Sequence, residues 1–268
     1  MKILLLLYLF TGISAEDLIN KMSKANAEIK TIKYTFTAAE RIEGKVSMAT
    51  SAVKLNINPR KLYLLGLSAE LLWTPTAKSN AVLVKPLTFP YFPMNLDPFS
   101  NLMRQGQHHT LYEAGFDYFI KIIQHTLELS HENKNFQLVV TGEETVHNRN
   151  CYKLAVINGA FAYVNYTVKA NENIHQIAEK MFISEALILE HNHQCRNFRD
   201  VKMGDVILIP NSYSKMSIVF VDKQTFLPIS SKIYDESGFF EGYEYDDLNL
   251  NCTFQEDEFS RNFKGYHF

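Results

Sequence analysis

Apolar and polar side chains alternate with a period of two on both sides of a central segment, 166–210, that breaks the pattern. The alternation is clear in IKYTFTAAERIEGK (32–45), FQLVVTGEETV (136–146) and MSIVFVDKQTFLPISSKIYD (216–235). This period predicts half-buried antiparallel strands joined by turns. Neither flank contains enough strands for a complete sheet. We therefore expect both flanks to contribute to one α+β fold with an open antiparallel sheet.

Two amphipathic helices are predicted outside the central segment. Residues 17–29 place Leu18, Met22 and Ile29 on one helical face, and residues 112–130 do the same with Phe116, Ile120 and Ile123. A helix with a single apolar face must bury that face against another element. The second helix is long enough to cover one side of the sheet.

The chain begins MKILLLLYLFTGISA, in which a lysine, a short apolar run and small residues follow one another. This order is typical of a secretory signal peptide, predicted here as 1–15, and the apolar run is too short to span a bilayer. No later segment approaches about 18 apolar residues, so we expect an exported, periplasmic protein that does not span the membrane. The net charge of −2 and the absence of a basic stripe argue against nucleic acid as a partner.

The central segment shows the order strand, helix, helix, strand. Asn173 is a predicted N-cap, with Gln176 three residues later, and Ser184 is a predicted cap for a second helix. Gly204 offers a turn before the last strand, which Pro210 ends. The segment thus reads as a small βααβ unit.

This segment resembles the LysM domain, a βααβ module that binds N-acetylglucosamine-containing glycans such as peptidoglycan. The matching residues are Tyr166-Thr167-Val168-Lys169, Ile174, Ile177-Ala178, Leu187, Asn192, Val201, Gly204-Asp205 and Ile207-Leu208-Ile209-Pro210. The first loop departs from the family, because Asn171-Glu172-Asn173 stands where Gly-Asp-Thr is usual. The resemblance implies a glycan site formed by two loops, with Asn171, Glu172, Asn173, Ile174, Asn192, His193 and Gln194 as candidate residues.

The flanks, 16–165 and 212–268, resemble the LolA-like superfamily of exported lipoprotein carriers, and the module would occupy 166–211. The resemblance lies in IKYTFTAAERIEGK, NPRKLYLL, VFVDKQTFLPISSKIYDESG and YEYDDLNLN. It implies a curved open sheet, or half-barrel, with helices across an apolar hollow that takes acyl chains in the carriers. Candidate lining residues here are Tyr34, Phe36, Leu62, Leu64, Val139 and Leu154. Pro59-Arg60 reverses the carriers' arginine–proline order, so no lipid role is transferred to Arg60.

Other chemistry finds little support in the sequence. The pair His108-His109, followed by Glu113, suggests a metal site, but neighbouring residues of a strand point to opposite faces and could not chelate one ion. No nucleophile motif, phosphate loop or pair of carboxylates beside the glycan loops is present. We therefore predict no catalytic residue, metal or cofactor.

Three functions follow from these observations. The first is a non-enzymatic envelope protein that binds peptidoglycan through the module and a lipid or lipoprotein through the sheet. The alternative is an envelope scaffold whose module is structural and whose sheet has no lipid ligand. An enzyme that uses the region from His108 to Glu113 ranks last.

Overall fold

The computed structural model describes residues 12–268, so the predicted signal peptide lies outside the described residues apart from 12–15. The strands are β1 Thr31–Ile42, β2 Lys45–Asn56, β3 Lys61–Leu65, β4 Ala69–Trp73, β5 Val82–Pro86, β6 Met94–Leu96, β7 Phe136–Val146, β8 Arg149–Asn158, β9 Tyr163–Thr167, β10 Val206–Pro210, β11 Met216–Asp222, β12 Pro228–Asp235 and β13 Gly238–Leu250. The helices are α1 Ala15–Ala27, α2 Asn101–Arg104, α3 Asp117–Glu132, α4 Ile174–Met181 and α5 Glu185–His191. Within residues 12–268, no helix combines the length and the apolar character needed to cross a bilayer.

Eleven strands form one open antiparallel sheet in the order β6-β5-β4-β3-β2-β1-β13-β12-β11-β8-β7, and β9 and β10 pair separately. The predicted open antiparallel sheet with a few helices is therefore confirmed. Its curvature into a half-barrel and the domain boundaries stay predictions. The described chain also divides into two compact units, one comprising Ala27–Tyr118 with Glu241–Phe268 and the other comprising residues 12–26 with Phe119–Phe240.

The unit of Ala27–Tyr118 with Glu241–Phe268 is built on the long β1–β2 hairpin, which pairs without a break from Ile42↔Lys45 to Thr31↔Asn56. Its turn residues Glu43 and Gly44 both have positive φ, of 49° and 78°. Positive φ at both central residues is what a type I′ hairpin turn requires, and glycine adopts such a value without steric cost. The turn predicted at this dipeptide is thus confirmed.

The predicted helix 112–130 begins later than its apolar pattern suggests. Residues Leu111–Glu113 form one 3-10 turn, and α3 starts only after Gly115, whose φ is +92°. A β-carbon at Gly115 would meet Leu55 Cδ2 at 3.0 Å, and the Gly115 N–H donates to Tyr34 Oη at 3.1 Å. The left-handed backbone and this close approach interrupt the helix, which a periodicity argument does not detect.

Arg60, the residue before β3, stabilises the segment between the 3-10 turn and α3. Its guanidinium donates to the carbonyl oxygens of Tyr112 and Ala114 at 2.9 and 2.5 Å and pairs with Asp117 at 3.3 Å. The structure therefore gives Arg60 a role in holding the chain that leads into α3.

In the unit that contains Phe119–Phe240, β7 and β8 form a hairpin, β8 also pairs with β11, and β11 pairs with β12. Helix α3 buries Ile120, Ile122 and Ile123 in agreement with its predicted apolar face. Helix α1 buries Leu18 and Met22 completely. The predicted apolar faces are confirmed for the residues inside the helices, whereas Ile29 lies after the end of α1 and Phe116 before the start of α3.

Each of the three cysteines is a free thiol, and their environments differ. Burial raises the pKa of Cys151 to about 11 and also raises the pKa of Cys195. Cys252 is partly exposed. At pH 8 a thiol of pKa 11 is ionised in about one molecule in a thousand, and the thiolate is the reactive form.

We therefore expect iodoacetamide to modify Cys252 first in the native protein, with Cys151 protected until the protein unfolds. Peptide mass spectrometry after timed alkylation, with and without urea, measures this order. Equal rates at Cys151 and Cys252 in the native protein would contradict it.

Candidate functional site

The central segment leaves and rejoins the large sheet at one place. Strands β8 and β11 are antiparallel neighbours, and Asn158 N–H donates to the Lys215 carbonyl at 2.9 Å where they end. The Asn158 amide also donates to Asn211 Oδ1 and Ser212 Oγ at 3.0 and 2.9 Å. Because the two ends of the segment meet here, a whole unit fits between β8 and β11 without disturbing their pairing.

The elements inside the segment follow the predicted order β9, α4, α5, β10. Asn173 caps α4 through a capping box with Gln176, in which each side chain accepts from the other residue's backbone N–H at 2.9–3.0 Å. Ser184 caps α5 and accepts from Leu187 N–H. Strands β9 and β10 pair antiparallel from Tyr163↔Pro210 to Thr167↔Val206. The predicted caps and the βααβ order are confirmed.

This βααβ unit has a hydrophobic core of its own. The core consists of the buried side chains Val168, Ile174, Ile177, Ala178, Ile183, Ile188, Cys195, Ile207 and Ile209. At about 1.5–3 kcal/mol for each fully buried large aliphatic side chain, these residues supply most of the driving force for the unit to fold. Helix α4 and strand β10 also carry exposed side chains, such as Glu179 and Val206, whereas no residue of α5 is exposed.

Most of the first predicted glycan loop is used to maintain the fold. Glu172 accepts hydrogen bonds from Tyr166 Oη at 2.8 Å and Lys169 N–H at 2.9 Å and pairs with Lys180 at 3.3 Å. Asn173 is the helix cap already described, and Ile174 is fully buried in the core. The remaining member, Asn171, is exposed and has a positive φ of 61°. Asparagine tolerates this conformation better than most residues.

The second predicted loop also contains one residue that supports the fold and others that are exposed. Asn192 is 2% exposed, and its amide donates to the carbonyls of Ile188 and Leu208 at 2.6 and 2.7 Å. Its Oδ1 accepts from Leu208 N–H at 2.9 Å, so this side chain fastens β10 to α5. His193 and Gln194 are exposed. Asn192 is therefore an internal support for the loop, and its neighbours face outward.

The connection from α5 to β10 contacts the first loop and the end of β9. Ile174 N–H, at the start of α4, donates to the carbonyl of Phe198 at 3.0 Å. The strand ends beside them are joined by Val168 N–H to Asp205 O and by Gly204 N–H to Val168 O, both at 2.9 Å. The chain from α5 to β10 therefore packs on the chain from β9 to α4.

A cleft of about 470 Å³ opens in the unit along the connection from α5 to β10. Its lining is mostly polar and comprises Gln194, Cys195, Arg199, Asp200, Val201, Lys202, Asp205, Val206 and Ile207. This volume lies in the range of about 300–1,000 Å³ that is usual for small-ligand sites. Gln194 thus links a predicted glycan loop to a cleft that the sequence did not indicate.

The two carboxylates of the cleft are held by backbone N–H groups of residues nearby in the sequence. Asp200 accepts from the backbone N–H of Arg196 at 3.0 Å and from its guanidinium at 3.3 Å, and these bonds lower the pKa of Asp200. Asp205 accepts from Lys202 N–H at 3.0 Å. Both carboxylates are therefore held in place before any ligand arrives, which reduces the entropic cost of binding.

The six predicted lipid-lining residues fall into two sets. Tyr34, Val53 and Leu64 are direct partners across β1, β2 and β3, so Tyr34, Phe36, Leu62 and Leu64 share one face of these strands. Leu62 is 1% exposed and Tyr34 4% exposed. Phe36 stacks on Tyr243 at 5.6 Å between ring centroids. This face is a packed aromatic and aliphatic surface.

The other set does not form a common lining. Leu154 on β8 pairs with Val140, and Val139 pairs with Ala155. Since neighbouring residues of a strand point to opposite faces, Val139 and Leu154 face opposite sides of the sheet. The sequence prediction that both line one hollow is wrong for this pair, because cross-strand register cannot be derived from alternation within each strand.

Helix α3 covers a cavity of about 10 Å³ in the unit of Phe119–Phe240. Its lining comprises Phe119, Ile122, Ile123, Thr126, Phe136, Val156, Asn158, Ser212, Tyr213, Ser214 and Ser217. A volume of about 10–15 Å³ holds no more than one water molecule. An acyl chain does not fit at this position.

The sequence analysis also placed His108 and His109 on a strand, which is wrong. The pair lies in the irregular connection between α2 and the 3-10 turn. Both rings contact the carboxylate of Glu241, at 2.7 Å for His108 Nδ1 and 3.5 Å for His109 Nε2. The argument that the two side chains must diverge therefore does not apply.

These features define the class of protein as an open antiparallel-sheet protein that carries a separately cored βααβ unit between two neighbouring strands. The chain belongs to the family described as "Protein of unknown function (DUF1571)", whose match spans residues 29–171, more than half of the 268 residues. The comparison with curated proteins gives no match.

Solved structures with related chain traces include the following three bacterial proteins. In the MucA/MucB complex of Pseudomonas aeruginosa the likeness covers 91% of this chain at 14% identity, with a TM-score of 0.41, and this chain spans 60% of that one. Lipoprotein LppX of Mycobacterium tuberculosis gives 9% identity and a TM-score of 0.44, over 90% of this chain and 98% of that one. A LolA superfamily protein of Nitrosomonas europaea gives 8% identity and a TM-score of 0.25, over 92% of this chain and 97% of that one. None of these matches is to a LysM domain, so that assignment stays a prediction.

Proposed function

We propose that this protein is a non-enzymatic binding protein of the bacterial cell envelope, whose βααβ unit binds N-acetylglucosamine-containing glycan such as peptidoglycan. The observation that carries the proposal is the cleft of about 470 Å³ beside Gln194, in a unit with its own core. The resemblance of 166–210 to the LysM domain supports the same ligand class.

The lining of the cleft suits a neutral, amphipathic sugar. The Gln194 amide and the Arg199 guanidinium are donors for hydroxyl and carbonyl oxygens, and Asp200 and Asp205 accept from hydroxyl groups. Val206 is among the apolar residues that provide a surface for a sugar face or an acetyl methyl group. The exposed residues Asn171 and His193 of the predicted loops extend this proposed contact surface.

The experiment is retention of the full chain on insoluble peptidoglycan, compared with a Gln194→Ala/Arg199→Ala double variant. Losing two hydrogen bonds worth about 1–1.5 kcal/mol each predicts roughly 30- to 150-fold weaker binding. A chitin oligosaccharide should compete, and a glucose oligosaccharide of equal length should not, because the N-acetyl group is the feature recognised.

The matched control is Glu179→Ala on the exposed side of α4, outside the cleft lining, which should bind like the unchanged protein. Circular dichroism melting shows whether all variants remain folded. Equal retention of the double variant, or no retention of any form, would refute the glycan proposal.

For the large sheet, the small cavity under α3 favours the scaffold alternative over a buried acyl chain at that position. The apolar face that includes Tyr34 and Leu64 then supports the fold. Mass spectrometry of lipids extracted from the purified protein distinguishes the alternatives. A stoichiometric lipid would favour a carrier, and its absence the scaffold.

A further inference from the structure

Two buried carboxylates face each other between β1 and β13. Glu40 and Glu241 are direct partners in the register of these strands, and they are 7% and 0% exposed. Each continues an apolar face of its strand, that of Tyr34 and Phe36 on β1 and that of Tyr243 and Tyr245 on β13. Two carboxylates in such a place require cations beside them, since an unpaired buried charge costs several kcal/mol.

Two histidines supply nitrogen atoms to the same place. His108 Nδ1 lies 2.7 Å from Glu241 Oε2, and His109 Nε2 lies 3.5 Å from Glu241 Oε1. One ligand atom from each of Glu40, His108 and Glu241 lies within 4.8 Å of the other two, whereas His109 is outside this group and reaches it through its contact with Glu241. Nitrogen and oxygen donors thus converge from a loop and from two strands.

The other nitrogen of each ring is held by an acceptor. His108 Nε2 lies 3.0 Å from the Arg41 carbonyl oxygen, and His109 Nδ1 lies 2.5 Å from Glu113 Oε2. An acceptor at one nitrogen places the proton there and directs the lone pair of the other nitrogen inward. This pairing with a carbonyl or carboxylate is the usual support of metal-binding histidines.

Glu40 is supported in the same way. Its Oε1 accepts from Tyr243 Oη at 2.8 Å, and its Oε2 accepts from His108 N–H at 3.1 Å. The backbone carbonyl of His108 accepts from the buried Arg104 at 3.0 Å. The loop that carries both histidines is therefore fastened to the strands by contacts that do not occupy the facing nitrogen atoms.

From this geometry we propose that Glu40, His108 Nδ1 and Glu241 form a binding site for one divalent transition-metal ion of the zinc class, and that His109 Nε2, now 3.5 Å from Glu241 Oε1, moves in as the fourth ligand. Mixed imidazole and carboxylate donors favour such an ion over calcium or magnesium, which take oxygen ligands. In a tetrahedral site with bonds of about 2.0–2.1 Å, ligand atoms lie roughly 3.3–3.5 Å apart. The His109–Glu241 separation already fits this spacing.

The His108–Glu241 distance of 2.7 Å is that of a hydrogen bond. A metal ion would replace the shared proton, which leaves to solvent, and the two atoms would separate by roughly 0.6–0.8 Å to reach that spacing. Because its ligands are largely buried, the site has the closed character of a structural metal site. The metal ion would fasten the loop of His108 and His109 to the strands. This role is separate from the proposed glycan binding by the βααβ unit.

The test is metal analysis of the full-length protein after purification without chelator, followed by Zn²⁺ titration of the metal-free form against a chromophoric chelator. We expect about one ion per chain and a higher melting temperature on Zn²⁺ addition. His109→Ala should weaken Zn²⁺ binding by more than about 100-fold, and Glu113→Gln by roughly 10- to 100-fold.

His125→Ala is the matched control, because His125 lies partly exposed on α3, and it should bind like the unchanged protein. Glu113→Gln keeps all four proposed ligands, so it tests the site even where His109→Ala fails to fold. Co²⁺ substitution should give the visible absorption of a four-coordinate site in the unchanged protein and in His125→Ala. No stoichiometric metal and no effect of Zn²⁺ on melting, or equal affinity in all variants, would overturn the proposal and leave two imidazolium–carboxylate pairs in its place.

Discussion

Replacing Glu241 with glutamine should lower the free energy of unfolding by about 3–5 kcal/mol. Burial by itself raises the pKa of Glu241, but the charge of His109 and hydrogen bonds from both histidines outweigh burial and hold the pKa well below its usual range. Glutamine keeps the shape and removes the charge, so His108 and His109 lose the carboxylate between them. Breaking a buried pair in this way costs about that amount.

Equilibrium urea unfolding in the presence of EDTA measures the effect of Glu241→Gln without any contribution from metal. The control is Glu256→Gln, an exposed carboxylate in the chain after β13, for which we expect a change within about 0.5 kcal/mol. Similar stabilities for the two variants would show that the carboxylate is not the partner on which both histidines depend.

Ile177→Ala should destabilise the βααβ unit by about 2–5 kcal/mol. Ile177 is fully buried among the core residues of the unit, and truncation removes three carbon atoms and leaves a cavity there. Because the unit has its own core, the loss should be local. Amide hydrogens of β9 and β10 should then exchange faster, and those of the β7–β8 hairpin should exchange at an unchanged rate.

Hydrogen exchange followed by mass spectrometry resolves the two regions in one experiment. Val206→Ala is the matched control, because Val206 lies on β10 of the same unit and is 58% exposed. Faster exchange that extends equally to β7 and β8 would show that the unit and the sheet unfold together. Unchanged exchange of β9 and β10 in Ile177→Ala would show that the core does not stabilise the unit.

Local sequence signals were sufficient for the parts of the fold that depend on neighbours in the chain. The caps at Asn173 and Ser184 were predictable because a cap bonds to backbone two or three residues away. The hairpin turn at Glu43-Gly44 was predictable because glycine adopts the positive φ that such a turn requires. The start of α3 was not, because Gly115 is fixed by contacts with Tyr34 and Leu55 from distant strands.

The candidate sites show the same division. Two of the seven predicted glycan residues, Ile174 and Asn192, are buried supports, since a motif match gives residue identity but not the direction of a side chain. Glu40 carried a usable signal, as a charged residue on the apolar face of β1. Its partner Glu241 is 201 residues away, and nothing local relates the two.

By itself, the sequence determined the periodic character of each segment, the helix caps and turns, and the presence of a βααβ unit between two flanks. Only the tertiary structure decided which strands are neighbours, which face Val139 and Leu154 occupy, and that His108, His109, Glu40 and Glu241 meet. The physical reason is that hydrophobic period and capping act over a few residues. Strand order and register depend on the packing of the whole chain, and a shift of one residue moves every side chain to the other face.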